Sequence, residues 1–378
     1  MDNYKRKATR ELCVGIIVFV ANIRYCCIGY ILAEVSQFLN LLFLLPVVVF
    51  AVISVMLNKL TKKEIAKILI LLLFSALLFI NTNQIAILVT TVTLVSMKDI
   101  SIDKILKLDM ISKIIVVIIV AIMMVLGIVP DTERVEFLLG FKLVAHSLGF
   151  RSVNTLGLIV LITLIDYAYI SKQRITNLKL LFILFIGSAF SIISSSRTLF
   201  VGHILLVILL FIYFNVKKYR IPFWALFIVS VPFVLFSFFY NELPFVKSMD
   251  AFMSGRIWLG YAYFQLYPIR FLGNTIHYGY ERFNGIPITL DNFYVRAIVN
   301  FGLLFCVVYF YSFISKFISN NKQSNLTNNI QNILIFVVFV CSVAESNFYN
   351  IFFNPALFFL VPLIFEMSDN GKPIPVID

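Results

Sequence analysis

The chain is a series of apolar runs, most of them about as long as a membrane-crossing helix, with short polar stretches between them. A helix needs roughly 20 mainly apolar residues to cross the hydrocarbon core of a bilayer. The composition agrees, because 61% of the residues are hydrophobic and only 13% are charged, whereas about 25% of a globular chain is charged. These features exclude a soluble domain and predict an all-α, polytopic integral membrane protein with one transmembrane domain, residues 1–378.

Polar residues divide this sequence into about twelve predicted transmembrane helices. Residues 81–84 (Asn-Thr-Asn-Gln) and 194–197 (Ser-Ser-Ser-Arg) each interrupt a long apolar stretch near its centre. Polar groups at the bilayer centre cost several kcal/mol, so both stretches are predicted to form helical hairpins. The predicted spans are 12–33, 38–57, 68–81, 84–97, 112–130, 154–170, 179–194, 199–215, 221–241, 292–314, 331–345 and 350–366.

Basic residues concentrate on one face of this arrangement, and an excess of lysine and arginine marks the cytoplasmic face. Both chain termini are therefore predicted to be cytoplasmic. The basic residues of the opposite face are mostly arginines, namely Arg134, Arg151, Arg197, Arg256, Arg270, Arg282 and Arg296.

Arginines on a face where topology disfavours positive charge need a specific reason. Guanidinium presents a planar fork of donors that suits bidentate contact with an oxyanion, so these arginines are predicted to bind phosphate. Ion pairing on the same face is the alternative, and the sequence leaves both open. The acidic residues available for pairing are Asp131, Glu133, Glu136, Asp250, Glu281 and Asp291.

One predicted extracytoplasmic loop, residues 242–291, is long and rich in aromatic residues. Residues 248–267 are predicted to form an amphipathic helix at the headgroup level, where tryptophan and tyrosine concentrate. A loop of this length is usually functional or disordered, and its aromatic content argues against disorder. The loop is therefore predicted to take part in function.

Polar residues recur at intervals of four at the start of the span 292–314. Asn292, Arg296 and Asn300 are predicted to form one stripe along a helix, and such a stripe faces protein or water rather than lipid. Asp291 precedes this helix, so it is either the N-cap or a chemically active carboxylate. Glu345 stands alone in an apolar region, either as an arginine partner or as a base.

Several enzyme signatures are missing from the sequence. It has no Gly-rich phosphate loop ending in Lys-Ser/Thr, no HExxH, no GxSxG and no CxxC, which argues against an ATP-driven pump or a zinc protease. Histidines and cysteines show no ligand spacing, so no metal site and no cofactor are predicted. The net charge of +12 comes from short loops between spans, so no nucleic-acid partner is expected.

At these residues the chain resembles the integral-membrane O-antigen and capsular polysaccharide polymerase family, which is related to the O-antigen ligases. In the ligases a histidine commonly precedes the asparagine of the Asn-x-x-Tyr-like motif, whereas this chain has Asp291, which favours a polymerase. The resemblance rests on the layout of spans and on four short motifs. They are 196–198 (Ser-Arg-Thr), 254–256 (Ser-Gly-Arg) leading to Gly273, 291–294 (Asp-Asn-Phe-Tyr) with Gly302, and 345–346 (Glu-Ser).

The resemblance implies a metal-independent glycosyltransferase, a multi-pass polysaccharide polymerase of the bacterial plasma (inner) membrane. Its donor would be a growing glycan on undecaprenyl diphosphate and its acceptor a lipid-linked repeat unit. A chain-length regulator and a flippase would be further partners.

The residue chemistry fits this reaction, because arginines stabilise the charge of a diphosphate leaving group and the acceptor hydroxyl needs a base. The candidate bases are Asp291, Glu345 and His277, the last because imidazole titrates near neutrality. The predicted diphosphate-binding residues are Arg197 and Arg256, with Arg151 and Arg270 assisting. The residues predicted to shape the site are Asn292, Tyr294 and Arg296.

Two other functions remain open. A secondary transporter or flippase would bind an anionic cargo in mid-membrane, often between two related halves, whereas the candidate cations of this chain cluster on the outer face. An O-antigen-type ligase would use the same donor and move finished glycan to another acceptor.

Overall fold

The apolar runs fold into helices, because a backbone inside a bilayer has to satisfy its hydrogen bonds within its own segment. The structure, a computed structural model, describes residues 3–25, 37–138, 141–150, 152–216, 220–277, 280–323 and 325–365. The helices of this part of the chain are α1 (Asn3–Ile23), α2 (Gln37–Met56), α3 (Lys62–Thr82), α4 (Ile85–Ser96), α5 (Ile102–Val125), α6 (Val153–Ile170), α7 (Asn177–Ser194), α8 (Arg197–Asn215), α9 (Ala225–Phe238), α10 (Pro244–Phe252), α11 (Arg256–Leu266), α12 (Phe293–Arg296), α13 (Gly302–Gln323), α14 (Leu326–Cys341) and α15 (Val361–Phe365). A π-helical turn at Ala297–Phe301 joins α12 to α13, and a 3₁₀ turn at Pro355–Leu360 leads into α15.

Among the described residues, six helices are long and apolar enough to cross a membrane. They are Lys62–Thr82, Ile102–Val125, Val153–Ile170, Asn177–Ser194, Arg197–Asn215 and Phe293–Gln323. Shorter apolar helices lie at Leu42–Met56, Ile85–Ser96, Ala225–Phe238, Leu326–Cys341 and Pro355–Phe365. These helices confirm the prediction of a helical membrane protein. The first predicted span, 12–33, falls partly outside the described residues.

Both predicted helical hairpins are present. α3 ends at Thr82 and α4 begins at Ile85, with Asn83 in the left-handed region at a φ of 56°. α7 ends at Ser194 and α8 begins at Arg197, with Ser195 in the same region at a φ of 47°. A left-handed residue ends a helix sharply, so the polar interruptions of the sequence are true reversals of the chain.

Two short β-hairpins depart from the all-α prediction. β1 (Glu133–Leu138) pairs antiparallel with β2 (Phe141–His146), and β3 (Arg282–Phe283) pairs with β4 (Ile286–Pro287). Both occur in connections that are too polar to continue the neighbouring helices. Pairing two strands satisfies the backbone donors and acceptors of such a connection.

The predicted interfacial helix over 248–267 is divided into α10 and α11. Ser254 and Gly255 lie between them with φ values of 59° and 79°, which a right-handed helix excludes. The Asp250 carboxylate accepts hydrogen bonds from the N–H groups of Ile257 at 2.8 Å and Trp258 at 3.2 Å. The prediction of one continuous helix is therefore wrong, because this carboxylate stabilises a new helix start.

Helix α6 lies at the centre of the bundle. It packs against α5, α7 and α8, while α14 packs against α8, α9 and α13. The apolar window of α6 is 72% buried, whereas that of α3 is 22% buried and that of α5 is 28% buried. Leu69, Leu73 and Ile122 of the outer helices are exposed, as expected for side chains that face lipid.

An ionic triad joins α5 to α6 in the bundle interior. The Lys113 ammonium donates a hydrogen bond to Asp109 and lies 3.5 Å from an Asp166 oxygen. Asn22 of α1 also donates to Asp109, at 2.8 Å. The three charged side chains are almost completely buried, so the triad connects three helices through interactions that water does not screen.

Candidate functional site

Distant parts of the chain meet at one end of the bundle, which we call the site end. The turns 81–84 and 194–197 lie there, together with the start of α12 and the segment 342–354 that follows α14. Direct side-chain hydrogen bonds connect these elements, from Thr198 to Glu345 and from Arg296 to both Gln84 and Ser346.

Arg197 stands at the first turn of α8. Ser196 caps this helix by accepting a hydrogen bond from the Leu199 N–H at 3.3 Å. Gly157 of α6 allows the turn to approach closely, since a Cβ at this position would lie 2.4 Å from the Ser196 Cβ. The Arg197 side chain is exposed at the site end and donates a hydrogen bond to the Ser254 hydroxyl. The close α6–α8 contact thus sets where this guanidinium projects.

Arg256 approaches the same place from the corner between α10 and α11. It is the first residue of α11, directly after the two left-handed residues of the corner. Arg197 binds Ser254, two residues before Arg256, and the Arg256 Nη1 donates to the Met253 carbonyl at 3.4 Å. Both predicted diphosphate-binding arginines therefore contact the corner between α10 and α11.

Asp291 is not the cap of α12. The cap is Asn292, whose side-chain oxygen accepts hydrogen bonds from the N–H groups of Tyr294 at 2.8 Å and Val295 at 3.2 Å. The N-cap interpretation of Asp291 is therefore wrong, and its half-buried carboxylate is not used in capping. Burial raises the pKa of Asp291, while the positive charges of Arg256 and Arg296 oppose this rise.

Glu345 lies in the segment 342–354 and is 8% exposed. The Thr198 hydroxyl donates a hydrogen bond to its Oε1 at 3.0 Å. Burial and the negative charge of Asp291 raise the pKa of Glu345 to about 7, against the opposing effects of Thr198 and Arg256. Two carboxylates and two arginines, 256 and 296, thus lie within electrostatic range of one another.

Arg296 is enclosed by polar groups from two elements, the turn 81–84 and the segment 342–354. Its guanidinium lies 4.6 Å from the centre of the Tyr349 ring. It donates hydrogen bonds to Ser346 and Asn347 at 3.2 Å, to Tyr349 at 3.1 Å and to Gln84 at 3.5 Å. Arg296 therefore connects the turn 81–84 and α12 to the segment that carries Glu345.

The loop after α11 packs directly against the π-helical turn. A Cβ on Gly273 would lie 2.0 Å from the Asn300 carbonyl oxygen, and one on Gly302 would lie 2.3 Å from the Gly273 nitrogen. Asn300 does not continue the predicted α-helical stripe, because it belongs to the π-helical turn and donates to the Asn274 carbonyl at 2.7 Å. The motif residues Gly273 and Gly302 thus meet through their backbones.

Other predicted site residues lie apart from this cluster. Arg270 is exposed, and its side chain makes no hydrogen bond or ion pair with the described residues. His277 is also exposed, and its backbone N–H donates to Glu281 at 3.0 Å. Tyr294 is buried, with its hydroxyl bonded to the Phe339 carbonyl at 2.5 Å, so it packs α12 against α14. Arg151 lies outside the described residues.

The acidic residues suggested as ion-pair partners for the arginines have other contacts. Asp131 lies 2.8 Å from His146 Nδ1, Asp250 caps α11, and Glu281 accepts a hydrogen bond from the Tyr267 hydroxyl. These contacts weaken the ion-pairing interpretation for these three acids, whereas Asp291 lies near Arg256 and Arg296 and supports it for those two arginines.

The first β-hairpin places possible metal ligands together, although their sequence spacing did not predict a site. The ligand atoms of Asp131, Glu133 and His146 lie within 4.8 Å of one another. The other Asp131 oxygen accepts hydrogen bonds from the Leu148 N–H at 2.8 Å and Ser147 at 3.2 Å. This arrangement fixes the base of the hairpin.

The residues that sequence reasoning missed are the polar neighbours of the predicted ones. Thr198 directly follows Arg197, and Gln84 belongs to the polar turn that defined the first hairpin. The sequence places both residues beside predicted functional or turn positions, but only their contacts with Glu345 and Arg296 show what they bind.

An apolar cavity of about 360 Å³ lies between α3, α4, α13 and the C-terminal helical segment. Its lining includes Phe74, Ile87, Phe305 and Leu360, and it also includes Tyr349. Since the Tyr349 hydroxyl binds Arg296, the cavity adjoins the polar cluster.

The arrangement combines cations that can hold an anion with a buried carboxylate that can accept a proton. Comparison of the chain with family models, curated proteins and solved structures gives no match.

Proposed function

We propose that this chain polymerises lipid-linked oligosaccharide repeat units into a surface polysaccharide such as O-antigen or capsule. The donor is a glycan on undecaprenyl diphosphate, and the reaction takes place on the outer face of a bacterial plasma membrane. One observation carries the proposal, namely that Arg256 lies near the carboxylates of Asp291 and Glu345 at one end of an apolar helical bundle. Arg197 reaches the neighbouring corner between α10 and α11 by its hydrogen bond to Ser254.

The arginines act on the leaving group. As the bond between the anomeric carbon and the diphosphate oxygen breaks, negative charge grows on the diphosphate. Preorganised donors aimed at such charge stabilise the transition state. Arg197 of α8 and Arg256 of α11 both contact the corner between α10 and α11, so they suit the two phosphate groups of one diphosphate.

Glu345 acts as the base. The acceptor hydroxyl attacks the anomeric carbon of the donor, its proton passes to the Glu345 carboxylate, and undecaprenyl diphosphate leaves with the bonding electrons. A base with a pKa near the working pH is most effective, and the pKa of Glu345 is raised to about 7. Asp291 contributes the negative charge that helps to raise it.

The membrane arrangement follows the charge distribution. In this proposal the chain crosses the bilayer about twelve times, both termini are cytoplasmic, and the site end faces outward. The apolar cavity beside Tyr349 takes part of the polyprenyl chain while the diphosphate lies among the arginines.

The deciding experiment is reconstitution of the purified chain with lipid-linked repeat units. Polymerisation gives a ladder of longer glycans and releases undecaprenyl diphosphate. Movement of intact substrate between leaflets without a ladder would instead identify a flippase, and transfer of glycan only to an added acceptor other than the lipid-linked repeat unit would identify a ligase.

Arg197→Ala and Arg256→Ala are each expected to abolish the ladder while the protein remains inserted in the membrane. Replacement by lysine should restore only part of the activity, because ammonium lacks the two-pronged contact of guanidinium. Arg282→Ala is the matched control, since Arg282 is an exposed arginine on β3 of the same loop. Full activity of both alanine variants would contradict the diphosphate assignment.

A further inference from the structure

A second arginine environment lies at the end of α1, where the helix passes into a π turn at Arg24 and Tyr25. The Arg24 side chain is buried, with 8% of the residue exposed. Its Nε and Nη1 are both buried and lack a hydrogen-bond partner. Among the described arginines, Arg24 alone has a buried terminal guanidinium nitrogen that lacks a hydrogen-bond partner.

The neighbours of Arg24 place it beside the candidate site. The Tyr25 ring stacks on Phe352 with 5.2 Å between the ring centres, and its hydroxyl lies near Asn350. This hydroxyl is also buried, and Arg24 and Asn350 are the polar side chains that interact with it. Phe352 and Asn350 belong to the segment 342–354, which also contains Tyr349, a ligand of Arg296.

Arg10 is a second buried arginine on the same helix, and its guanidinium has partners within the fold. It is 7% exposed, and its guanidinium binds the Lys98 carbonyl and the Asp99 carboxylate. Arg24 has no such carboxylate among the described residues. Its guanidinium lies 4.9 Å from the Tyr25 ring centre, and such a contact offsets only part of the cost of burying a charge.

The two unpartnered guanidinium nitrogens of Arg24 define the missing ligand. Guanidinium nitrogens and a phenol hydroxyl can all donate hydrogen bonds, so the ligand has to be rich in acceptors and negatively charged. A phosphate group meets both conditions and fits the guanidinium fork. Apolar helices mark this chain as a membrane protein, so membrane lipids are the phosphate compounds that surround it.

We propose that Arg24 and Tyr25 bind a phosphate group presented by a membrane lipid. The phosphate belongs either to an ordinary anionic lipid or to a polyprenyl diphosphate. The inference rests on the unpartnered donors and does not require that the chain polymerises glycans.

The test measures thermal unfolding of the delipidated full chain in detergent micelles with one added lipid at a time. Phosphatidylglycerol, undecaprenyl diphosphate and phosphate-free diacylglycerol are the three probes. A rise of the midpoint by several degrees with either phosphate lipid, and not with diacylglycerol, is expected because ligand binding stabilises the folded state. A response to phosphatidylglycerol identifies a headgroup site, and a response to undecaprenyl diphosphate alone identifies a site for the polyprenyl lipid.

Arg24→Met should lose this rise, and Tyr25→Phe should show a smaller one. Arg10→Met is the matched control, which should unfold at a lower temperature and keep the response to lipid. Without lipid, Arg24→Met should be at least as stable as the parent chain, because it removes an unpaired buried charge.

The inference is overturned if neither phosphate lipid stabilises the parent chain, or if Arg24→Met and Tyr25→Phe both respond fully. A chain that forms glycan ladders without this lipid response retains the proposed function and loses this site. A chain that shows this lipid response and forms no glycan ladders retains the site and contradicts the polymerase function.

Discussion

At the scale of single residues, the environment separates the roles of two carboxylates. Asn292 caps α12 and leaves Asp291 uncapped, where burial raises its pKa and two nearby arginines oppose this rise. Glu345 is more deeply buried, and burial together with the Asp291 charge favours its protonated form. Carboxylates whose environments separate their pKa values commonly divide the work of acid and base. Here Glu345 is the group suited to exchange a proton near neutrality.

The raised pKa of Glu345 determines how the polymerisation rate should depend on pH. Below about pH 7 Glu345 is mostly protonated and cannot accept a proton, so the polymerisation rate should rise as the pH increases through about 7.

Glu345→Gln should lower the rate by roughly 10²–10⁴-fold. Asp291→Asn removes a negative neighbour, so it should move the rise to lower pH while activity persists. An inactive Asp291→Asn variant with an active Glu345→Gln variant would make Asp291 the base instead.

At the scale of elements, glycine backbones hold the loop after α11 on the helix that follows Asp291. Gly302 has a φ of 86° and Gly273 one of 81°. The Leu303 N–H donates to the Arg270 carbonyl at 3.1 Å, and the Asn274 N–H donates to the Asn300 carbonyl at 3.0 Å. The loop therefore supplies partners for backbone groups where the helix changes from a π to an α geometry.

Gly302→Ala should separate these two elements. The new methyl group would lie 2.3 Å from the Gly273 nitrogen. Alanine would also cost about 1–3 kcal/mol at a φ of 86° and a ψ of 173°, which essentially only glycine adopts. Gly285→Ala is the matched control, since Gly285 has a φ of 79° and nothing within 4 Å of the added carbon. The thermal unfolding midpoint of Gly302→Ala should fall clearly below that of Gly285→Ala. Equal midpoints would show that the close backbone contact contributes little.

At the scale of the whole molecule, the triad of Asp109, Lys113 and Asp166 connects the helices far from the site. A buried ion pair contributes little net stability, but removal of one partner leaves an uncompensated charge. The exposed Lys104–Glu11 pair, at 2.6 Å, offers a comparison on the same helix. The stability of the fold should therefore fall strongly when one residue of the buried triad is replaced, and little when one residue of the exposed pair is replaced.

Lys113→Met should destabilise the fold by about 3–5 kcal/mol, measured by denaturant unfolding in micelles. Adding Asp109→Asn and Asp166→Asn to this variant should restore much of the loss, because no buried charge then remains. Lys104→Met should cost less than about 1 kcal/mol. A triple variant as unstable as Lys113→Met would show that packing, and not charge, sets the loss.

Much of the fold could be predicted from local sequence. The polar turns 81–84 and 194–197 predicted two helix reversals, and left-handed residues at 83 and 195 confirm them. The break at Ser254 and Gly255 was missed because it depends on the Asp250 carboxylate, whose preference for a helix N-terminus competes with an apolar pattern that continues through the corner. The β-hairpins were missed because only pairing between two strands stabilises them.

The sequence by itself determined that this chain forms apolar helices with polar reversals, because span length and polar interruption are properties of neighbouring residues. It also supplied the set of arginines and acids from which the site is drawn. Tertiary structure decided which of them meet. Thr198 and Glu345 are 147 positions apart, and Arg296 and Gln84 are 212 apart, so no local pattern records these contacts. Packing of α8 against α14, and of the π-helical turn against α3, brings them within hydrogen-bonding distance and leaves His277 on an exposed loop.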